Sequence, residues 1–178
     1  MPCLQWSKLN HLQLGRFGEY YAKMEFTSYG YEVYTSEVDD HGVDFVVKAP
    51  GTSDFYEVQV KSLCHGNYVY ISKDDFKIDD RHLVCFLRFK DDKMPDVYLI
   101  PSRVWEKPNA VFVDRKYDKP GQTSKPEWGI NYSKKNIEIL APYKMGQSLF
   151  LWDLTHDPTK IYTGRHPCLN PEGMLGSI

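Results

Sequence analysis

The sequence predicts an α/β domain, a mixed β-sheet flanked by helices, with an irregular C-terminal extension. Three observations predict it. One amphipathic, glycine-containing helical stretch comes first, and a series of short runs rich in Val, Tyr, Phe and Ile follows it. Those runs are separated by Pro, Gly and Asp at turn spacing. Finally, 178 residues with 42% hydrophobic and 26% charged content suffice for one substantial core but are short for two. Residues 1–145 are therefore expected to form the domain, and 146–178 an extension docked on it.

Residues 7–28 are expected to form a helix, with Ser7 or Asn10 able to cap its start and Gly30 placed to end it. Leu14, Phe17, Tyr21 and Met24 recur at helical spacing. Beside them Gly15, Gly18 and Ala22 make a small-residue stripe, which costs helix propensity but admits a close neighbour. Glu19 lies next to that stripe.

A strand over 31–35 leads into a polar loop, 36–42, that contains Asp39, Asp40 and His41. Adjacent loop residues rarely all converge on one ion, so these three are taken as an exposed turn. VDFVVK (43–48) and FYEVQVKS (55–62), separated by APGTSD, predict a hairpin. YVYIS (68–72) is expected to continue the meander, with Ser72 capping a short helical turn over 73–76. The apolar run 83–89 and a strand over 96–100 come next, then a brief helix over 101–105 with proline in its first turn. Residues 114–127, with Pro120, Gly121 and Pro126, suit a long surface loop. SKKNIEIL (133–140) suits either a short helix capped by Ser133 or a strand. Beyond Pro142 come the apolar LFLWDL and a Pro/Gly-interrupted end over 158–178, for which Ile161, Tyr162 and Leu169 are docking candidates.

Composition excludes several classes. No apolar run approaches the roughly 18–20 residues that span a bilayer, and MPCLQWSKLN does not resemble a signal peptide, so a cytoplasmic location is expected. Cys3, Cys64, Cys85 and Cys168 have no CxxC spacing and are expected to be reduced structural thiols. GxxxxGK[ST], GxSxG and HExxH are all missing from the sequence. A net charge of −2 argues against binding nucleic acid by bulk charge, so any such contact needs a local patch. Lys73, Lys77, Arg81 and His82, with Lys134 and Lys135, are the candidates, against the plainer reading that each is a solvated surface charge. Trp128 and Trp152 have the chemistry to stack on bases, although packing is the commoner role.

The informative strand is 55–62. With period two, Tyr56, Val58 and Val60 share one face while Glu57, Gln59 and Lys61 share the other. An acid, an amide and an amine in a row suit a wet sheet face or a polar cleft, because burying unpaired charge is costly. The surrounding order favours the cleft: a glutamate in a Gly-rich helix (GRFGEYYAKMEF), a strand (YEVYTS), Gly-Val-Asp opening a hydrophobic strand (HGVDFVV), a turn, and VQVKS.

In these features the chain resembles the PD-(D/E)XK nuclease superfamily, especially its Mrr-like branch with glutamine at the second acidic position. It is most similar to the domain-of-unknown-function family DUF4365. The resemblance spans about residues 10–140 and is concentrated in 15–19, 42–47 and 58–62. It implies a restriction-endonuclease-like core and a divalent-metal-dependent endonuclease that hydrolyses DNA phosphodiester bonds, in defence or repair. Asp44 would be the metal-binding aspartate, Gln59 the second ligand, Lys61 the motif lysine and Glu19 the helical glutamate. Gln59 in place of Asp or Glu lowers the negative charge of the site.

Phosphodiester chemistry agrees with these roles. Hydrolysis of an anionic ester needs a cation against the phosphate oxygens and a polarised water. Asp44, the Gln59 amide oxygen, the Val60 carbonyl and Glu19 are hard oxygen donors suited to Mg²⁺ or Mn²⁺. Lys61 would stabilise developing charge or, if desolvated, take a proton. The alternative is a catalytically inactive nuclease-like domain that binds nucleic acid or a protein partner, for which Gln59 and the modest charge speak. The pattern leaves the oligomeric state open, a homodimer included.

Overall fold

We describe the chain from a computed structural model in which residues 3–35 and 42–146 are described. The expectations for Asp39, Asp40, His41, Trp152, Cys168 and residues 147–178 of the extension lie outside those residues.

The first helix, α1, runs His11–Ser28. Asn10 caps it through a reciprocal pair: Gln13 N–H donates to Asn10 Oδ1 at 2.9 Å, and Asn10 N–H donates to Gln13 Oε1 at 3.1 Å. Ser7 instead lies in a 3₁₀ turn, Trp6–Lys8, and bonds the Asp91 carboxylate with both its N–H and its hydroxyl. At the other end Gly30 has φ +83°, its N–H donates to Thr27 O, and Tyr31 N–H donates to Phe26 O. That is a Schellman closure, reinforced by the Tyr31 ring against Phe26. The buried face is Leu14, Gly18, Ala22 and Phe26, so Gly18 and Ala22 of the small-residue stripe face the core while Met24 stays 63% exposed.

Among the described residues eight strands follow, in two sheets. β1 (Glu32–Tyr34), β2 (Phe45–Lys48), β3 (Phe55–Leu63), β5 (His82–Arg88) and β6 (Asp96–Pro101) form a five-stranded sheet in the order β1-β2-β3-β5-β6. Its pairs are antiparallel except β3 with β5, which is parallel. The expected hairpin is present as β2 and β3, and the chain is mixed α/β.

β4 (Tyr68–Ser72) does not continue the meander. It leaves the sheet and pairs with β8 (Glu127–Asn131), which pairs in turn with β7 (Phe112–Arg115). The physical reason is that β5 lies parallel to β3, and parallel neighbours need a crossover connection. Residues 64–81 are that crossover, and β4 is part of it. Residues 73–75 form bends and 76 is irregular, with no helical turn. The predicted loop 114–127 is a loop only in its middle, since both ends are strand.

After β6 a 3₁₀ turn, Ser102–Glu106, matches the expected brief helix. Near the end α2 (Ile137–Leu140) resolves the helix-or-strand ambiguity in favour of helix, with Asn136 rather than Ser133 at its N-cap. Short polar termini and local 3₁₀ geometry carry these pieces, so sequence period alone says little about them.

Two apolar clusters fix the layers. Against one face of the large sheet, α1 packs Leu14, Ala22 and Phe26 onto Phe45, Val47, Val58, Cys85 and Leu87. Against the other, Val84, Phe86, Tyr98 and Ile100 meet Val69, Ile71, Phe112 and Ile130 of the small sheet. A helix therefore covers one face and a second sheet the other, where a mixed sheet flanked by helices was expected. No helix among the described residues is long and apolar enough to cross a membrane.

Candidate active site

β3 supplies the axis of the site. Val58, Val60 and Ser62 point towards α1, and a Cβ on Gly18 would lie 2.0 Å from Ser62 Oγ. Glu57, Gln59 and Lys61 alternate onto the opposite face, sharing it with His82, Val84 and Phe86 of β5, their register partners. The predicted row of acid, amide and amine thus exists, and it lies under the crossover rather than in open solvent.

Asp44 meets this row at the end of β2. Its N–H donates to Val58 O at 3.0 Å, and its Oδ2 accepts the Val60 N–H at 2.6 Å. β2 begins only at Phe45, so beyond it the edge of β3 has no strand partner on that side, and the Asp44 carboxylate satisfies the Val60 amide there. Within an extended strand the N–H and C=O of one residue face the same edge, so the Val60 carbonyl opens towards Asp44 as well. Gly42 makes the approach feasible. It has φ +70°, and a Cβ there would lie 2.9 Å from Gln59 Nε2 and 3.0 Å from Asp75 Cβ.

Gln59 is 7% exposed, and its Oε1 has no hydrogen-bond partner. A buried amide oxygen left unpaired costs on the order of 1–3 kcal/mol, so it marks a position where a donor or cation is wanted. Lys61 is half-buried, with its ammonium 5.4 Å from the centre of the Tyr70 ring. Burial pushes its pKa down, and the charges of Asp44 and Asp75 partly oppose that. The ammonium makes no hydrogen bond or ion pair with a described side chain, so neither Glu57 nor Glu19 closes the face by pairing with it.

Those two glutamates have other partners. Glu57 contacts His82 Nε2 at 2.8 Å, while Asp79 contacts His82 Nδ1 at 2.7 Å. Glu57 is thus paired with a buried histidine. Glu19 rides on α1, the helix that covers the other face of the sheet, and its carboxylate is held by Arg16 at 2.7 Å. Asp44, Gln59, Val60 and Lys61 are thus brought together, and the carboxylate added to them is Asp75, whose charge reaches Lys61. No signal in the local pattern around KDDFK distinguishes Asp75 from its neighbour Asp74. Only the crossover does.

The predicted basic patch is partly spoken for. Lys73 pairs with Asp114 and lies 3.7 Å above the Trp128 ring, which occupies that face of the tryptophan. Arg81 pairs with Asp54 at 3.2 Å. His82 is buried between its two carboxylates. Lys77, Lys134 and Lys135 are exposed. Among the described cysteines Cys3, Cys64 and Cys85 are free thiols.

Among the described residues no three of His, Cys, Asp and Glu cluster closely enough to hold a metal. Asp44, the orphaned Gln59 Oε1 and the Val60 carbonyl are nevertheless a hard-oxygen set that suits Mg²⁺ or Mn²⁺, and an amide and a main-chain oxygen fall outside such a count. No family model matches the chain, and no curated protein matches it.

Proposed function

We propose that this chain is a divalent-metal-dependent endonuclease that hydrolyses DNA phosphodiester bonds, built on a restriction-endonuclease-like core. The observation that carries the reading is the buried, unpartnered Gln59 Oε1 beside the clamped Asp44, with the half-buried amine of Lys61 next along the same strand. Such a set is costly for a fold to maintain and is what phosphoryl transfer requires.

A bound Mg²⁺ or Mn²⁺ supplies positive charge against the phosphate oxygens and lowers the pKa of the attacking water. Asp44, Gln59 and the Val60 carbonyl would hold it. The Val60 N–H fixes the Asp44 carboxylate in one rotamer, so that little ordering remains for the moment of binding. Lys61 offsets charge on the phosphate, and its lowered pKa also brings it closer to accepting a proton from water. Exposed Lys77, Lys134 and Lys135 are the candidate contacts for the flanking DNA backbone. A role in defence or repair is what the superfamily resemblance implies.

The test is cleavage of single-stranded, duplex and branched DNA in Mg²⁺ or Mn²⁺ with a chelator control. The native chain is expected to cut, with Asp44→Ala and Lys61→Ala each slower by about a hundredfold or more, the scale on which single electrostatic groups act in catalysis. Metal-independent binding to every substrate without cutting would replace this reading with that of a nuclease-like binding domain.

A further inference from the structure

The carboxylate-poor composition of the site is the unresolved point. Asp44 is its single anionic ligand, because Gln59 is neutral and Glu19 is engaged by Arg16 on α1. A dication held by one carboxylate, one amide and one main-chain carbonyl keeps most of its charge uncompensated, and hard divalent sites usually gather more than one carboxylate.

The crossover supplies what is missing. Asp75 precedes Phe76, which is 5% exposed and packs edge-on to Trp105 and His82, so the backbone at Asp75 is anchored rather than free to swing away. The spot where a Gly42 side chain would stand lies 2.9 Å from Gln59 Nε2 and 3.0 Å from Asp75 Cβ. The root of the Asp75 side chain and the amide head of Gln59 therefore both lie close to the point that a methyl group on Gly42 would fill. The neighbouring Asp74 is bound to Lys125 at 2.8 Å, whereas Asp75 forms no hydrogen bond or ion pair with a described residue. Gln59, more than nine-tenths buried, ends in an oxygen without a partner.

We propose that Asp75 is a second anionic ligand of the divalent-metal site, supplying from the crossover the carboxylate that Gln59 withholds on β3. This rests on the nuclease reading above. With Asp44 and Asp75 the ligand set carries two negative charges, matching a dication, and Gly42 is required because any side chain there would hold the two halves of the site apart.

The experiment is Mn²⁺ uptake by the full chain, followed by calorimetry and by loss of the free-ion magnetic resonance signal, with the melting temperature of each variant recorded. Native protein is expected to bind one ion, Asp44→Asn to bind none, and Asp75→Asn to bind at least about tenfold more weakly, as for loss of one charged contact worth about 1.4 kcal/mol. Asp75→Glu should recover part of the affinity, and Asp74→Asn should match the native protein. Native-like affinity in Asp75→Asn, or weakening by Glu19→Gln without weakening by Asp75→Asn, overturns the assignment and leaves the nuclease reading standing. A native chain that takes up no Mn²⁺ overturns both.

Discussion

Lys61 carries its charge where burial makes a charge costly. Its pKa is pushed below the ordinary lysine value of 10.5 by desolvation, and Asp44 and Asp75 only partly offset this. The unfolded chain then binds that proton more tightly than the folded one, so the residue destabilises the fold at neutral pH. The penalty is complete below the folded pKa and is relieved as pH rises towards 10.5. Lys61→Met is therefore expected to be as stable as the native protein or more so at pH 7, with the difference closing near pH 10, while cleavage is lost. Denaturant midpoints at the two pH values check this. A clear loss of stability at pH 7 would mean that the amine is a structural tie and not a functional group kept at a cost.

At the scale of the element, the meeting of α1 with β3 depends on one glycine and not on its neighbour in the stripe. Gly18 lies against Ser62 and Val60, whereas a Cβ on Gly15 would meet nothing within 4 Å. Gly18→Val is expected to destabilise the protein by roughly 1–3 kcal/mol through overpacking, outweighing any gain in helix propensity. Gly15→Ala should stabilise by up to about 1 kcal/mol. Equilibrium unfolding of both variants tests the pair, and equal effects at the two positions would contradict the packing. The helix and its Gly30 terminus, the β2–β3 hairpin and the two faces of β3 were all legible in sequence, because each is set by local period or by a turn residue. Which small residues face the core was not, since Gly15 and Gly18 are equivalent until a partner strand exists. Met24 failed for the same reason: it keeps the helical period with the core residues, yet among the described residues it stays largely exposed.

At the scale of the molecule, the crossover over 64–81 joins the two sheets and must be pinned at its far end. Asp79 does this: it contacts His82, which also contacts Glu57 of β3, and its main chain exchanges hydrogen bonds with Ser102 Oγ. Burial raises the pKa of Asp79, but hydrogen bonds from the His82 ring and the Arg81 and His82 amides outweigh it and leave the carboxylate below its ordinary 3.8. That stabilisation is present above 3.8 and is lost as pH falls through the lower folded value. Asp79→Asn should accordingly melt below the native protein at pH 7, and the gap should narrow as pH is taken below 3.8. Melting curves across that range measure it, and a constant difference at every pH would assign the effect to packing instead.

The sequence by itself determined the α/β class, the leading helix, the hairpin and the placing of Gln59 and Lys61 on one strand with Asp44 at the start of its hairpin partner, all features carried by short-range period and spacing. Only the tertiary structure decided that β4 leaves the large sheet, that Glu57 belongs to His82 and that Asp75 and Gln59 both come close to Gly42. Those outcomes depend on strand order, and strand order follows from how two separate apolar faces, Val84 and Phe86 on one sheet and Ile71 and Ile130 on the other, bury each other across the chain. No local pattern encodes which distant strand completes a sheet, so an aspartate carried there by the crossover has no signature in its own neighbourhood.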